Sequence, residues 1–296
     1  ILLTEANLDA RDKVIEILKE TISERENDLS ARGSYYANLR LRARHNLLGF
    51  LEEKRRGLES LRAYRELLQQ AENDWSTLLE RFHNIRNTLL LNRSGMVLNL
   101  TGDSNVFFQM QHAIKNFLEH LPGMDHLDTA PSHTALPSPH PWVEPAKVEQ
   151  KSIFSSAAEA IVVPSQVNYV GQTIQVYDTG NAIPGSAAVI SHHLATSYLW
   201  EKIRVEGGAY GAHASLSRRE GLLSFVSYRD PHVSPTLKAY KRVPVALEQA
   251  SEEFSRRSPR DLELAIIGAI GEEDGPVLSP DQLGWVSLER WLRGES

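Results

Sequence analysis

The chain has 296 residues, of which 41% are hydrophobic and 24% are charged, as in an ordinary globular protein. A net charge of −6 gives no basic surface for nucleic acid, and the absence of cysteine excludes disulfides and thiolate metal sites. No apolar run approaches the roughly 20 residues of a membrane span, so neither nucleic acid nor a membrane is a predicted partner. The length favours two domains, and because the chain begins at Ile1 we expect it to start inside a longer polypeptide.

The first third of the chain, residues 1–92, has helical periodicity. Ile15, Leu18 and Ile22 recur at the spacing of one helix face. Arginines and glutamates are interleaved along this region, which is typical of a solvated, mixed-charge face rather than a nucleic-acid surface. Further helices are predicted over residues 34–56, 58–70 and 73–91.

The pattern changes after residue 92. Residues 95–101 alternate like a strand, and a helix is predicted over residues 104–121. A proline- and histidine-rich linker follows at 131–150, where irregularly spaced histidines between prolines favour solvation over metal binding. The linker separates the two predicted domains, 1–130 and 151–296.

The region beyond the linker predicts strands followed by helices. Hairpins rather than crossovers connect the strands, which indicates an α+β fold with a mostly antiparallel sheet. The predicted strands are 158–163, 167–176, 211–217 and 221–228, and the predicted helices are 185–205, 233–254 and one beginning at Ser258-Pro259.

The end of the predicted helix 185–205 holds the candidate site. Gly207 alone accounts for a helix stop, and glycine at both Gly207 and Gly208 implies a positive φ or a close backbone approach. Arg204 and Tyr210 lie on either side of these glycines. The turn therefore presents a cation and a phenol, which suggests that both side chains point at a ligand.

A catalytic zinc site is not complete in this sequence. Such a site needs two histidines one helical turn apart with a glutamate beside them. The nearest approach is Asn116-Phe-Leu-Glu119-His120, where asparagine stands in place of the first histidine of an H-x-x-E-H motif. His192 and His193 are neighbours on a predicted helix and point to different sides. The sequence therefore predicts no metal ligand and no complete catalytic set.

The segment Leu199-Trp-Glu-Lys-Ile-Arg204-Val-Glu-Gly-Gly-Ala-Tyr210-Gly211 resembles the R-x-x-G-G-A-Y-G signature of the presequence-protease branch, which includes falcilysin. This branch belongs to the pitrilysin/insulinase superfamily of zinc metallopeptidases. Tyr228-Arg-Asp-Pro231 follows at the family's usual place, and 96–101 is similar to the segment before the family's last domain. The resemblance covers nearly the whole chain.

This resemblance implies an α+β fold of two pitrilysin-like α/β sandwich domains, each with a mostly antiparallel sheet and helices on one face. Residues 1–130 would be a helical segment with the C-terminal part of a third domain, and residues 151–296 a C-terminally truncated fourth domain. Both domains would then be incomplete. In this family two halves close around an unfolded peptide, and the N-terminal half carries the zinc site.

The resemblance also implies roles for the candidate site. Arg204 and Tyr210 would clamp the substrate and transition state, with Gly207, Gly208 and Ala209 as substrate-binding residues. Zn²⁺ would be bound in the full enzyme by residues absent from this chain, so the chain alone is predicted to be inactive. Its partners would be an unfolded peptide and the N-terminal zinc-bearing half, in the same polypeptide or a separate chain.

The implied function is the degradation of short unfolded peptides, such as cleaved targeting presequences, in the mitochondrial matrix or chloroplast stroma. The alternative is a non-catalytic structural or assembly subunit of the same superfamily, similar to processing-peptidase or respiratory-complex core subunits. Arg204 and Tyr210 favour the protease, because a structural subunit has no use for a substrate clamp. An H-x-x-E-H helix upstream of Ile1 would decide between the two.

Overall fold

The computed structural model describes residues 7–91, 96–121, 140–178, 181–256, 260–275, 277–292 and 294. The chain divides into two compact units. The first unit is Ile1–Leu18, Leu67–His140 and Pro276–Ser296, and the second unit is Lys19–Glu66 and Pro141–Gly275. The predicted domains, 1–130 and 151–296, refer to family domains and stay a prediction.

Helices dominate the described residues, and the strands all lie in the second unit. The helices are α1 Arg11–Ala31, α2 Gly33–Ala43, α3 Leu47–Arg56, α4 Leu58–Asn73, α5 Trp75–Leu91, α6 Ser104–Glu119, α7 Val143–Ile153, α8 Ser186–Thr196, the π-helix Trp200–Val205, α9 Ser234–Lys241, α10 Val243–Arg256, α11 Arg260–Asp274 and α12 Pro280–Leu292. The strands are β1 Gly171–Gln175, β2 Gly211–Ser217 and β3 Leu222–Tyr228. In the described part of the chain, no helix is long and apolar enough to cross a membrane.

The predicted α+β class is confirmed, because the helices accompany an antiparallel sheet of three described strands in the order β1-β3-β2. The predicted hairpin forms as β2 and β3, with Gly211 opposite Tyr228 and Ser217 opposite Leu222. Its turn closes through Gly221, whose φ of 66° is a conformation that glycine adopts without strain.

The core of the second unit lies where α8, the π-helix and α9 meet the sheet. Phe225 of β3 is fully buried and stacks on Tyr240 of α9, with the ring centroids 5.5 Å apart. The Tyr240 hydroxyl donates a hydrogen bond of 3.0 Å to the carbonyl of Val170, and burial raises its pKa. Ile203 of the π-helix joins this cluster, so the helix that carries Arg204 is anchored in the core.

Polar contacts fasten α2 to the hairpin turn. The Arg42 guanidinium lies 2.7 Å from a carboxylate oxygen of Glu220, which is fully buried. The same oxygen accepts a hydrogen bond of 2.6 Å from the Ser217 hydroxyl. A buried carboxylate needs such partners, so the pair fixes the turn between β2 and β3.

Two predicted strands are wrong in the described residues. No strand pairing is seen for residues 96–101, the described part of the predicted strand 95–101. The same is true of residues 158–163. Val162 is 97% exposed and Leu98 is 42% exposed, because the described chain offers no neighbouring strand against either segment. The predicted strand 167–176 shortens to β1.

Three predicted helices are interrupted. The predicted helix 34–56 divides before α3, where the Asn46 side chain accepts a hydrogen bond of 2.8 Å from the backbone N–H of Gly49. The predicted helix 185–205 divides at Ser197, whose hydroxyl bonds back to the carbonyl of His193. The predicted helix 233–254 divides at Arg242, just before Pro244, which has no N–H to donate.

Two further predictions fall partly outside the described residues. The predicted start of a helix at Ser258-Pro259 lies outside them, and α11 is described from Arg260. Of the predicted linker 131–150, residues 131–139 lie outside them. The end of that linker is helical, because α7 occupies Val143–Ile153.

Candidate functional site

The candidate site begins on the π-helix Trp200–Val205, which continues from the end of α8 after Ser197. The hydrogen bond between residues five positions apart that defines a π-helix is seen at the end of this helix, where the N–H of Glu206 donates to the carbonyl of Glu201 at 2.9 Å. Single turns of π-helix occur frequently at functional sites. Ile203 points into the core, while Arg204 is exposed on the same turn.

The two glycines after the π-helix have different roles. Gly208 has a φ of 75° and makes the left-handed turn, so the helix stop expected at Gly207 is one residue later. Its N–H bonds to the carbonyl of Arg204, and the N–H of Ala209 bonds to the carbonyl of Ile203, each at 3.0 Å. Gly207 allows a close approach instead, because a Cβ there would lie 2.6 Å from the carbonyl oxygen of Ile203.

Arg204 lies against an aromatic ring and leaves its donors exposed. Its Cζ is 3.9 Å from the ring centroid of Trp200 and 5.9 Å from that of Tyr210. In the described residues it forms no ion pair with a carboxylate. A guanidinium that stacks through its face keeps its in-plane N–H groups available to a ligand.

Tyr210 is fixed at its backbone and exposed at its ring. Its N–H donates to the carbonyl of Tyr228 at 3.1 Å, and its ring meets that of Tyr228 edge-on, with centroids 5.8 Å apart. The side chain is nevertheless 68% exposed. The structure therefore brings the predicted pair, Arg204 and Tyr210, together at one surface.

The three predicted substrate-binding residues differ in exposure. Gly208 is exposed and Gly207 is half-buried. Ala209 has its side chain in the core and is only 4% exposed, so it can contribute no more than its backbone to a ligand.

A second turn, Tyr228 to Pro231, borders the site. Arg229 has a φ of 49° and is exposed, and its Cζ lies 5.5 Å from the ring centroid of Tyr228. Asp230 is fully buried and accepts hydrogen bonds from the N–H of His232 at 2.8 Å and the hydroxyl of Thr236 at 2.7 Å. These bonds fix the turn beside Tyr210.

Sequence reasoning gave no role to three residues of this site. Trp200 precedes Arg204 by four residues, a spacing that brings side chains together on a helix. Arg229 and Asp230 stand directly before a proline, where turns are common. The spacing of Trp200 and Arg204 was visible in the sequence, but the contacts of the Tyr228 to Pro231 turn depend on how the end of β3 lies beside Tyr210.

The residues near the incomplete zinc motif do not fit a metal site. The Asn116 amide lies 3.2 Å from Nε2 of His112, and Nδ1 of His120 lies 2.7 Å from the backbone carbonyl of Asn116. His192 meets Glu272 instead, at 2.8 Å. Within the described residues, no group of three or more histidines and carboxylates could hold a metal ion.

Comparison with known proteins shows that the chain is similar in sequence to presequence proteases. Residues 158–296 match the model of the PreP C-terminal domain. The chain is 32% identical over 296 residues to presequence protease 1, chloroplastic/mitochondrial, of Arabidopsis thaliana, covering 99% of this chain and 25% of that protein. Mitochondrial presequence proteases of Emericella nidulans and Mus musculus are 28% and 24% identical, over 91% and 95% of this chain and 24% and 27% of theirs. The chain thus spans about a quarter of the length of these relatives.

Proposed function

We propose that this chain, whose residues 158–296 match the PreP C-terminal domain and which is similar along its length to presequence proteases, is the substrate-binding part of a zinc endopeptidase. Its substrates are short unfolded peptides, such as cleaved organellar targeting presequences. Arg204 and Tyr210 clamp such a peptide opposite a zinc site on N-terminal residues outside this chain. That N-terminal half belongs to the same polypeptide or to a separate chain.

The observation that carries the proposal is the pairing of Arg204 with Tyr210. Both side chains are exposed, and the π-helix and the glycine turn hold them side by side. An exposed guanidinium suits a peptide carbonyl, to which it donates charge-assisted hydrogen bonds. A tyrosine hydroxyl suits the carbonyl oxygen on which negative charge develops during peptide hydrolysis.

The proposed role of this chain is limited to binding the peptide and stabilising charge. Presequence proteases imply a zinc-dependent family, and the proposal assigns the zinc ligands to residues outside this chain. On this basis the chain alone binds peptide and does not cleave it.

The predicted organellar location agrees with the family. The relatives from Arabidopsis thaliana, Emericella nidulans and Mus musculus are named chloroplastic/mitochondrial or mitochondrial. Their names also favour the protease over the alternative, a non-catalytic subunit of the same superfamily.

Substitution in the full-length protein tests the clamp. We expect Arg204→Ala and Tyr210→Phe each to lower kcat/KM for a short unfolded peptide about 10- to 1000-fold, the scale of losing one donor to the transition state. Arg56→Ala is the matched control, since Arg56 is a surface arginine paired with Glu52 on its own helix. Zinc content should be equal in all variants. Full activity of folded Arg204→Ala and Tyr210→Phe proteins would refute the proposed role.

A further inference from the structure

Arg229 has a backbone conformation that its side chain disfavours. Its φ is 49°, and no other described residue except glycine has a positive φ. In this region the Cβ of an L-residue crowds the backbone, so glycine, asparagine or aspartate is usual. A glycine would satisfy the turn with less strain, which indicates that the arginine side chain has a purpose of its own.

The neighbours of Arg229 hold the turn whether or not its side chain is present. Asp230 and Asn168 exchange two backbone hydrogen bonds of 2.8 Å, and the Asp230 carboxylate accepts from His232 and Thr236. The carbonyl of Arg229 accepts from the N–H of Tyr210 at 3.4 Å. All of these contacts involve the backbone of Arg229 or other residues, so its guanidinium is left out of the scaffold.

The guanidinium of Arg229 lies near the aromatic rings of the candidate site. The Tyr210 ring centroid lies 5.9 Å from Cζ of Arg204 and 5.8 Å from the ring centroid of Tyr228. Arg229 in turn lies 5.5 Å from the Tyr228 ring. Pairwise contacts therefore link the two exposed arginines through two tyrosines, and this series, Arg204–Tyr210–Tyr228–Arg229, is the aromatic row.

Neither end of this row is neutralised within the described residues. Two other exposed arginines of the second unit do have carboxylate partners, since Arg32 lies 3.1 Å from Asp28 and Arg65 lies 2.6 Å from Glu26. Arg229 has no such ion pair with a described carboxylate. Its in-plane N–H groups form a fork that matches the two oxygens of a carboxylate.

We propose that Arg229 binds a carboxylate of the same peptide that Arg204 and Tyr210 hold. This inference rests on the proposed function and adds a preference to it: a peptide with a carboxylate along this row binds more tightly than its neutral counterpart. The carboxylate comes either from an aspartate or glutamate side chain or from the C-terminus of the peptide. Both sources offer the same pair of oxygens.

Arg229→Gly separates the side chain from the backbone, because glycine keeps the turn at a φ of 49° without strain. Four peptides of one sequence are compared in the full-length protein, with either glutamate or glutamine at one position and either a free or an amidated C-terminus. We expect Arg229→Gly to raise KM about 3- to 30-fold for peptides that carry the recognised carboxylate, as for loss of a partly exposed charged hydrogen bond. The change in kcat should be smaller, and the melting temperature should not fall. Arg229→Gln gives a second test, because glutamine keeps a polar side chain but removes the charge.

The four peptides identify the source of the carboxylate. An effect confined to the glutamate peptides assigns a side chain, and one confined to free C-termini assigns the terminal carboxylate. An unchanged KM for every peptide, or an equal rise that includes the doubly neutral peptide, overturns the inference. Arg204→Ala in the same assay keeps the two proposals apart, because its loss of activity stands whether or not Arg229 has any effect.

Discussion

The second unit uses arginine in two different ways, and Arg40 and Arg204 show the contrast. Arg40 is 5% exposed and bonds both oxygens of Glu159 at 2.9 Å, Glu59 at 2.7 Å and Glu53 at 3.2 Å. Arg204 is exposed and has no ion pair with a described carboxylate. Both stack on an aromatic ring, Arg40 on Phe154 at 4.4 Å and Arg204 on Trp200 at 3.9 Å.

The difference lies in what is left for a ligand. The donors of Arg40 are engaged inside the fold, so the residue joins α2 to the elements that supply its three carboxylates. The donors of Arg204 are held in place by stacking but remain exposed. We therefore expect substitutions of Arg40 to change the free energy of unfolding, and substitutions of Arg204 to change peptide turnover.

The largest effect on stability is expected for Arg40→Met. Removing one partner of a buried ion pair typically costs about 3–5 kcal/mol, because the remaining charge is left without compensation. Glu53 is fully buried, and burial already raises its pKa despite the opposing effect of Arg40. Urea unfolding of the full-length protein measures the loss.

Arg55→Met is the matched control for this substitution. The Arg55 side chain is 64% exposed and pairs with Glu52 on the same helix at 3.0 Å, an arrangement worth less than about 1 kcal/mol. Arg204→Ala should resemble this control in stability. If Arg40→Met destabilises the protein no more than Arg55→Met, then the buried ion pairs of Arg40 do not stabilise the fold.

A smaller and pH-dependent effect is expected for Glu159→Gln. Hydrogen bonds from Arg40, followed by its charge, lower the pKa of Glu159 from its ordinary value of 4.5 against the opposing effect of burial. A lowered folded-state pKa stabilises the fold above the unfolded pKa, and this stabilisation is lost as the pH falls below about 4.5. We expect the substitution to cost about 2 kcal/mol at pH 7 and clearly less at pH 3.

Unfolding free energies of the wild type and Glu159→Gln at several pH values measure this difference. Glu144→Gln serves as the control, because the Glu144 side chain is 68% exposed and pairs only with Lys147 in the salt bridges of the described residues. A cost for Glu159→Gln that stays constant from pH 7 to pH 3 would contradict the role given to the Arg40 pair.

The sequence predicted the exposed arginine better than the buried one. Arg204, Tyr210 and the hairpin after them lie within thirty residues of each other, so a local signature and the strand alternation were sufficient to predict them. The Arg40 cluster joins α2 to Glu159, 119 positions away, and no local pattern indicates that pairing. The same limit explains the wrong strands at 96–101 and 158–163, since alternation indicates a possible strand but not a partner to pair with.

The π-helix is a further feature that local reasoning missed. Periodicity predicted a continuous α-helix to residue 205, because apolar spacing hardly distinguishes the two kinds of helix over a single turn. Ser197 interrupts that helix, and the left-handed residue is Gly208 instead of Gly207. The sequence could therefore predict Arg204 and Tyr210 as a candidate pair, while the geometry of the turn came from the structure.

The smallest effect concerns Trp200, which we expect to act as a positioning residue for Arg204. Trp200→Leu keeps an apolar side chain but removes the ring under the guanidinium, an interaction worth about 0.5–1 kcal/mol at an exposed site. We expect kcat/KM for peptide to fall about 2- to 5-fold. Trp200→Phe should recover part of the loss, since phenylalanine retains an aromatic face.

A double-mutant cycle distinguishes positioning from a general structural role. If Trp200 acts through Arg204, then Trp200→Leu has no further effect on kcat/KM once Arg204 is alanine. Trp142→Leu is the control for loss of an exposed tryptophan, since Trp142 is 47% exposed at the start of α7. Additive losses in the Trp200 and Arg204 cycle would mean that the ring does not orient the guanidinium. In that case Arg204 would differ from Arg40 only in having no ion pair with a described carboxylate, and the stacking on Trp200 would not contribute to its function.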